Sequence, residues 1–148
     1  MAKLREKMAT TGTDVVVIGP SSHLVWLTGM SPHGDERPVL LMVTQTGAGF
    51  LMPKVNSDSQ RSLTELPFYI WSDGAAGAPK VSLSALVADI VTVQRPLKIA
   101  LDETMRADFA LLVIEVLPGN TYGTLHETVG TLRAVKDEIE FAILKSNA

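Results

Sequence analysis

Residues 31–38 (SPHGDERP) gather four side chains that bind charged groups or transfer protons. His33 is followed by Asp35, Glu36 and Arg37, and a proline stands on each side of the group. Histidine exchanges a proton near neutral pH, and arginine grips a carboxylate through two parallel hydrogen bonds. Loops at strand ends commonly carry binding residues. The segment leaves two alternatives, a binding role for His33 and Arg37 or a solvated loop whose charges pair with one another, and the residues alone favour the solvated loop.

The other two histidines give weaker signals. His23 and His126 do not combine with His33 in an HExxH or HxH spacing, so no metal-ligand pattern is present. We expect His23 to hydrogen bond at a strand end and His126 to be solvated. Asp102 and Glu103 follow a predicted strand, where a metal site could sit, but capping of the following helix is favoured for them. No metal ligand is therefore predicted in this chain.

Several classes of catalytic site are excluded by what the sequence lacks. There is no Cys, which excludes a thiol nucleophile, a disulfide framework, Cys-ligated zinc and an iron–sulfur cluster. The GxSxG, GxxxxGK[ST] and GxGxxG motifs of serine hydrolases and nucleotide-binding proteins are missing as well. The chain therefore holds no complete catalytic set, and we predict no catalytic residue in it.

The elements that must position these residues alternate between strand-like and helix-like patterns, which predicts an α/β fold. Strands are predicted at residues 14–19, 23–28, 39–44, 49–53, 68–71 and 97–101, and an extended segment at 120–128. Helices are predicted at residues 2–10, 56–66, 82–94, 106–117 and 137–148. Trp26 and Trp71 fall within predicted strands, where packing in a core or interface is expected.

Composition restricts the partners. The chain has 148 residues, of which 46% are hydrophobic, so it suits one domain with a sizeable core. Its net charge of −3 argues against nucleic acid or an anionic membrane as the main partner. No apolar run approaches the roughly 20 residues of a membrane helix, and the N-terminus lacks the pattern of a secretory signal. We therefore expect a cytoplasmic protein.

Two stretches resemble known family motifs. Residues 4–30 resemble the opening of the creatinase/prolidase/aminopeptidase P family: an amphipathic helix, a G-x-D step into an apolar strand, and a Tyr-Leu-Thr-Gly-Phe-like motif, here Trp26-Leu27-Thr28-Gly29-Met30. Residues 132–148 resemble the L-R-x-x-K junction before the family's catalytic domain, on the residues Arg133, Lys136, Glu138 and Glu140. The segments 36–38 and 99–103 are also similar. His23, Trp26 and Met30 depart from the usual Asn, Tyr and Phe.

The resemblance implies a fold and a division of labour. It implies a three-layer α/β/α domain over residues 1–131, with a mixed sheet of five to six strands and a ribonuclease H-like motif. Residues 132–148 would be the linker and the start of a C-terminal "pita-bread" catalytic domain. In the family's peptidases that domain holds two divalent metal ions (Mn, Co or Zn) through Asp, Asp, His, Glu and Glu, and a bridging water attacks the bond before proline. The present chain is then a separated N-terminal domain that is inactive alone.

The resemblance also implies partners and site residues. They are the chain's own catalytic domain, a second copy in a homodimer, and a proline-containing dipeptide or peptide. The loop at residues 30–37 would reach the active site, often that of the neighbouring subunit, with His33 and Arg37 touching substrate and Trp26 or Met30 forming an apolar wall. A creatinase-like, metal-independent amidinohydrolase and a stand-alone binding module are the alternatives. Scattered acids and the negative charge argue against a ribonuclease H-like nuclease.

Overall fold

In a computed structural model that describes residues 1–135, 142–143 and 145–146, the chain forms an α/β domain around one mixed sheet. The strands are β1 (Val15–Ile18), β2 (Leu40–Thr44), β3 (Ala48–Pro53), β4 (Phe68–Trp71), β5 (Lys98–Leu101) and β6 (Thr121–Thr124). The helices are α1 (Ala2–Thr11), α2 (Ser22–Thr28), α3 (Lys54–Arg61), α4 (Ala78–Ile90), α5 (Ala107–Val116) and α6 (Val129–Ala134), with a 3-10 turn at Leu125–Glu127.

The strand directions give the sheet two chemically distinct edges. The order is β4-β3-β2-β1-β5-β6, and only β2 runs antiparallel to its neighbours. Five strands therefore end at the same edge, where β2 begins; we call it the carboxyl edge and the opposite one the amino edge. Loops at the carboxyl edge of such sheets commonly form ligand sites.

Two apolar clusters hold helices against the two faces of the sheet. One cluster packs α1, α2 and α6 through residues such as Leu4, Leu24 and Val129. The other packs α4 and α5 through residues such as Leu86 and Val113. Alternate residues of β1 point to opposite faces, so Val16 and Ile18 join the first cluster and Val15 and Val17 the second. The predicted three-layer fold with a mixed sheet of five to six strands is confirmed, and the sheet has six strands within the described residues.

The predicted strand at residues 23–28 is wrong, because this segment forms helix α2. The side chain of Ser21 accepts a hydrogen bond from the Leu24 amide at 3.4 Å and caps the first turn. Gly29 ends the helix at φ 74°, in the left-handed region that glycine tolerates. Trp26 therefore lies on a helix. Only His23 and Leu24 are buried, a one-sided burial that the short apolar run did not reveal.

Smaller differences concern element ends. Helix α4 begins and ends four residues earlier than predicted, since Pro79 lies in its first turn and Val91 is already extended. Helix α3 covers Lys54–Arg61, with Pro53 at its N-cap, whereas a helix at 56–66 was predicted. The segment 120–128 was predicted to be extended, and this holds only for β6, because a 3-10 turn follows it. The remaining strands and helices up to residue 117 match their predictions within one or two residues. The predicted helix 137–148 lies outside the described residues, apart from 142–143 and 145–146. No helix in the described part of the chain is long and apolar enough to cross a membrane.

Candidate functional site

The loop of residues 31–38 lies at the carboxyl edge, and its C-terminal end is fixed to strand β4 by a hydrogen bond. It leads directly into β2, and the indole Nε1 of Trp71, the last residue of β4, donates a hydrogen bond of 3.0 Å to the carbonyl of Pro38. Midway along the loop, a Cβ placed on Gly34 would lie 3.8 Å from the Cβ of Pro20, in the turn after β1. The loop therefore crosses the edge of the sheet between the ends of two strands.

Arg37 is the centre of the loop's charge network. Its guanidinium donates to Asp73 Oδ2 at 3.2 Å and to Asp35 Oδ2 at 3.4 Å, and it lies 3.7 Å from Glu36 Oε1. Hydrogen bonding to Asp73 and the charges of all three acids raise the pKa of Arg37 above its ordinary value. The Arg37 amide also donates to Asp35 Oδ1 at 2.8 Å. The local charge pairing that the sequence offered as an alternative is present, and a binding role for Arg37 stays a prediction.

A second arginine faces the same loop from the other side. Arg106, at the start of α5, forms two hydrogen bonds of 3.0 Å to Asp108: Nε donates to Oδ1, and Nη2 donates to Oδ2. Its pKa is raised by this hydrogen bond and further by the charges of Asp108, Glu36 and Asp35. Acids thus outnumber arginines around the loop, and His33 stands exposed at its tip. This surface favours ligands that bring a positive group as well as a carboxylate.

The four predicted site residues lie in three different places. His33 and Arg37 share the exposed loop. Met30 is fully buried in the core cluster of α1, α2 and α6, so it supports the loop from beneath. Trp26 is 37% exposed and lines a groove with the N-terminus of α1 and with Leu132 of α6. The described structure does not bring Trp26 into the loop with His33.

A further polar cluster at the carboxyl edge was not anticipated as a unit. It joins His23 of α2 with Asp102 and Glu103 at the end of β5, and one side-chain ligand atom of each lies within 4.8 Å of the others. His23 and Asp102 are buried, at 8% and 2% exposure. Asp102 does not cap α5, whose N-cap is Arg106. It accepts instead from the Ser21 hydroxyl at 2.6 Å, with its other oxygen bonded to Thr104.

The cluster does not fit a metal centre as it stands. Arg133 Nη1 lies 2.8 Å from Nδ1 of His23, and an arginine can only donate, so Nδ1 accepts and the ring proton sits on Nε2. That nitrogen faces Glu103 Oε1 at 3.5 Å and has no free lone pair for a cation. Among the described residues this is the single group of three or more metal-ligating side chains that lie close together. The absence of a metal site here stays a prediction.

Sequence reasoning missed this cluster because its members come from distant segments. His23 follows β1 and the two acids follow β5; these strands are neighbours and parallel, so their ends meet at one edge. The sequence does contain a signal for this cluster, because polar residues follow both apolar strands. To use that signal, one must know that β1 and β5 pair and that His23 lies in the first turn of a helix.

Comparison with known proteins is consistent with this architecture. Residues 1–135 match the family described as Creatinase/Prolidase N-terminal domain. The sequence search among curated proteins gave no match. A dipeptidase from Pyrococcus horikoshii OT3 is similar in structure, with a TM-score of 0.78 and 26% identity over 93% of this chain. A prolidase from Thermococcus sibiricus gives a TM-score of 0.81 at 20% identity over 95% of this chain.

The lengths of the similar proteins differ in an informative way. This chain spans 37% of the Pyrococcus dipeptidase and 37% of the Thermococcus prolidase. By contrast, it covers 98% of a solved Creatinase/Prolidase N-terminal domain of an X-Pro dipeptidase from Streptococcus pyogenes, with a TM-score of 0.72 and 14% identity over 90% of this chain. The likenesses to the Thermococcus and Streptococcus structures concern the fold alone.

Proposed function

Because this chain belongs to the creatinase/prolidase N-terminal domain family, we propose that it is the non-catalytic N-terminal domain of an Xaa-Pro dipeptidase- or aminopeptidase P-like metallohydrolase. The loop of residues 31–38 carries the proposal. It is partly exposed, anchored at its C-terminal end, and presents a histidine and an arginine at the carboxyl edge. The loop would complete the active site of a catalytic domain, its own or that of a partner subunit.

The proposed division of labour leaves bond cleavage to the other domain. A proline-containing dipeptide or peptide carries a carboxylate, and often an ammonium group, so the mixed charges around Arg37 complement both ends. Two divalent ions, Mn, Co or Zn, would be held by the catalytic domain following a linker at residues 132–148. Residues 1–131 would bind and orient, with His33 and Arg37 in contact with substrate and Trp26 or Met30 shaping the apolar side.

The experiment replaces the loop residues in the longer protein that carries this domain. We expect His33→Ala and Arg37→Ala to lower kcat/KM on an Xaa-Pro dipeptide by about tenfold or more, as lost substrate positioning does. His126→Ala is the matched control, since His126 is also exposed but lies outside the loop. The isolated chain should show no turnover with added Mn or Co. Turnover by the isolated chain, or kcat/KM values within a few-fold for both loop variants, would refute the proposal.

A creatinase-like amidinohydrolase is the second candidate, because the matched family covers creatinases as well as prolidases. It requires no metal, whereas a peptidase of this family requires two ions. Metal analysis of the longer protein therefore separates the two: two bound ions per subunit exclude the creatinase-like reaction.

We further propose that the domain associates as a homodimer, through the outer face of α4 and α5. Val81, Leu111 and Ile114 are exposed there by 68%, 65% and 38%. Lys80 and Glu115 pair between the two helices, so the face carries one charge of each sign, which a two-fold contact can match to itself. Leu111→Glu should convert a dimer to a monomer in light scattering, whereas Val55→Glu, at an equally exposed site on α3, should not. A monomeric wild-type chain would contradict this face. We expect no nucleic-acid or membrane partner, given the net charge of −3.

A further inference from the structure

The contact between His23 and Arg133 joins the beginning of α2 to the last described helix. Arg133 Nη1 lies 2.8 Å from His23 Nδ1 and donates to the Ser22 hydroxyl at 3.0 Å. The two partners are 110 residues apart in sequence, so chain connectivity does not impose the contact. It is also one of few ties of α6, a short helix whose other anchor is the apolar side of Val129 and Leu132.

His23 is itself held rigidly from behind. Asp102, at the end of β5, fixes the Ser21 hydroxyl, and Ser21 caps the helix that carries His23. Glu103 Oε1 faces His23 Nε2 at 3.5 Å, while its other oxygen accepts from the Leu125 amide at 3.2 Å, just before α6. The side chain of His23 is therefore presented to Arg133 in one orientation and one tautomer, by groups rooted in the sheet.

Breaking this contact would leave His23 without its partner and would weaken the attachment of α6. His23 is 8% exposed, so its Nδ1 has little access to water once Arg133 withdraws. Apart from the hydrogen bond from the Thr131 hydroxyl to the nearby His126 carbonyl, helix α6 would then be held by apolar contacts, which resist rotation and sliding less than a directional bond. Arg133 lies beyond residue 131, where the linker is predicted to begin, so its hold sets the direction in which the chain continues.

We propose that Arg133 is a positioning residue: clamped by His23 and Ser22, with Glu103 behind His23, it locks α6 to α2 and so fixes the loop of residues 31–38 relative to whatever follows the domain. The local clamp concerns this chain alone. Its effect on catalysis rests on the proposed function, because it assumes an active site shared between the loop and a following domain.

The first test measures hydrogen exchange of the α6 amides in the isolated chain, using Leu132, whose amide donates to Thr128. His23→Leu removes the acceptor and should lower the protection of Leu132 by about tenfold or more, as for loss of a hydrogen bond from a charged donor. His23→Asn keeps an acceptor oxygen and should retain protection within about threefold. Equal loss in both variants, or no loss in either, overturns the clamp.

Arg133→Met provides a route that does not disturb the core, because Arg133 is only half-buried on a surface helix. It should reproduce the loss seen in His23→Leu, and the double variant should show no further loss. Nitrogen-15 NMR of the His23 ring should show the proton on Nε2 in the wild type and a mixture of tautomers in Arg133→Met. A proton on Nδ1 in the wild type would contradict the assigned donor and acceptor.

In the longer protein, His23→Leu and Arg133→Met should lower kcat/KM several-fold with unchanged metal content, and His23→Asn should restore it. If exchange responds but kcat/KM does not, the clamp stands and the shared active site fails. If exchange does not respond, the clamp fails whatever the activity of His33 and Arg37 variants.

Discussion

The two edges of the sheet use their charged residues differently. At the amino edge, Asp14 precedes β1 and accepts three hydrogen bonds. Nη1 and Nη2 of Arg95 donate at 3.0 and 2.8 Å, and the Lys98 amide donates at 2.8 Å. Arg5 of α1 donates to the carbonyls of Thr44 and Gly47 and closes the β2–β3 hairpin. Each charge there meets a single opposite charge or the backbone, and the result ties one element to another.

Around the 31–38 loop at the carboxyl edge, each arginine interacts with several carboxylates, and the carboxylates outnumber the arginines. Arg37 is divided among three carboxylates from two loops, and Asp35 and Glu36 also act on Arg106. None of these side chains holds two strands or helices together in the way Asp14 does. The charged groups of the 31–38 loop do not join strands or helices and are available for binding, whereas those of the amino edge serve stability; the same separation of roles is seen in other parallel-sheet folds.

The largest expected difference between the edges compares two arginines. In the longer protein, Arg37→Ala should lower kcat/KM by about 100-fold, the effect of misplacing a substrate group, with little change in the thermal midpoint of the isolated chain. Arg95→Ala should do the reverse, leaving kcat/KM within about threefold and lowering the midpoint, because Asp14 loses its partner. Steady-state kinetics and thermal unfolding of both variants test the comparison. Loss of activity in Arg95→Ala would remove the distinction between the edges.

Local elements could be predicted from sequence, and long-range pairings could not. The β2–β3 hairpin can be read from the sequence because its turn, with Gly47, lies between two adjacent apolar runs. Helix α2 was predicted as a strand because a segment of seven residues is too short to distinguish the helical from the strand periodicity. The burial of His23 and Leu24 against the rest of the domain favours the helix.

The candidate site shows the same limit. His33 and Arg37 could be singled out because they are neighbours in sequence. The hold of Asp73 on Arg37 depends on where β4 ends, 36 residues later. The contact of His23 with Arg133 depends on the order of strands in the sheet, which periodicity does not encode.

A second prediction concerns how tightly the amino edge is packed. A Cβ on Gly47 would lie 2.8 Å from Cβ and Cγ2 of Ile90, atoms close to the backbone of α4. Gly47→Ala should therefore lower the free energy of unfolding by about 1–3 kcal/mol, as overpacking does. Gly123→Ala is the matched control on β6, where a Cβ meets nothing within 4 Å, and it should leave stability unchanged or slightly raised. Urea unfolding of both variants decides; equal effects would show that the amino edge is not the tighter one.

A third prediction uses the pH dependence of stability at the amino edge. Burial opposes ionisation of Asp14, but the hydrogen bonds from Arg95 and Lys98 outweigh it and hold its pKa below the ordinary value. The ionised carboxylate therefore stabilises the fold above about pH 4, the unfolded pKa, and this contribution is lost as pH falls through the folded pKa. Asp14→Asn should cost about 1 kcal/mol at pH 7 and progressively less below pH 4.

The control for Asp14 lies at the other edge. Asp108 also has a lowered pKa, from hydrogen bonding to Arg106, but this pair is exposed and screened by solvent. Asp108→Asn should therefore change urea unfolding little at either pH. A loss in Asp108→Asn as large as that in Asp14→Asn would mean that both edges stabilise the fold through their ion pairs.

The smallest expected effect is the response of the carboxyl edge to metal. Since Arg133 leaves the proton of His23 on the nitrogen that faces Glu103, we expect Zn, Mn or Co at 100 μM to shift the thermal midpoint of the isolated chain by less than about 1 °C. A site with a dissociation constant near 1 μM would instead raise it by about 5–10 °C at that concentration. Arg133→Met frees Nδ1 and lets Nε2 act as a ligand beside Asp102 and Glu103. If zinc raises the thermal midpoint of Arg133→Met alone, the arginine occupies the place of a cation. If zinc raises the thermal midpoint of the wild type, the cluster binds metal.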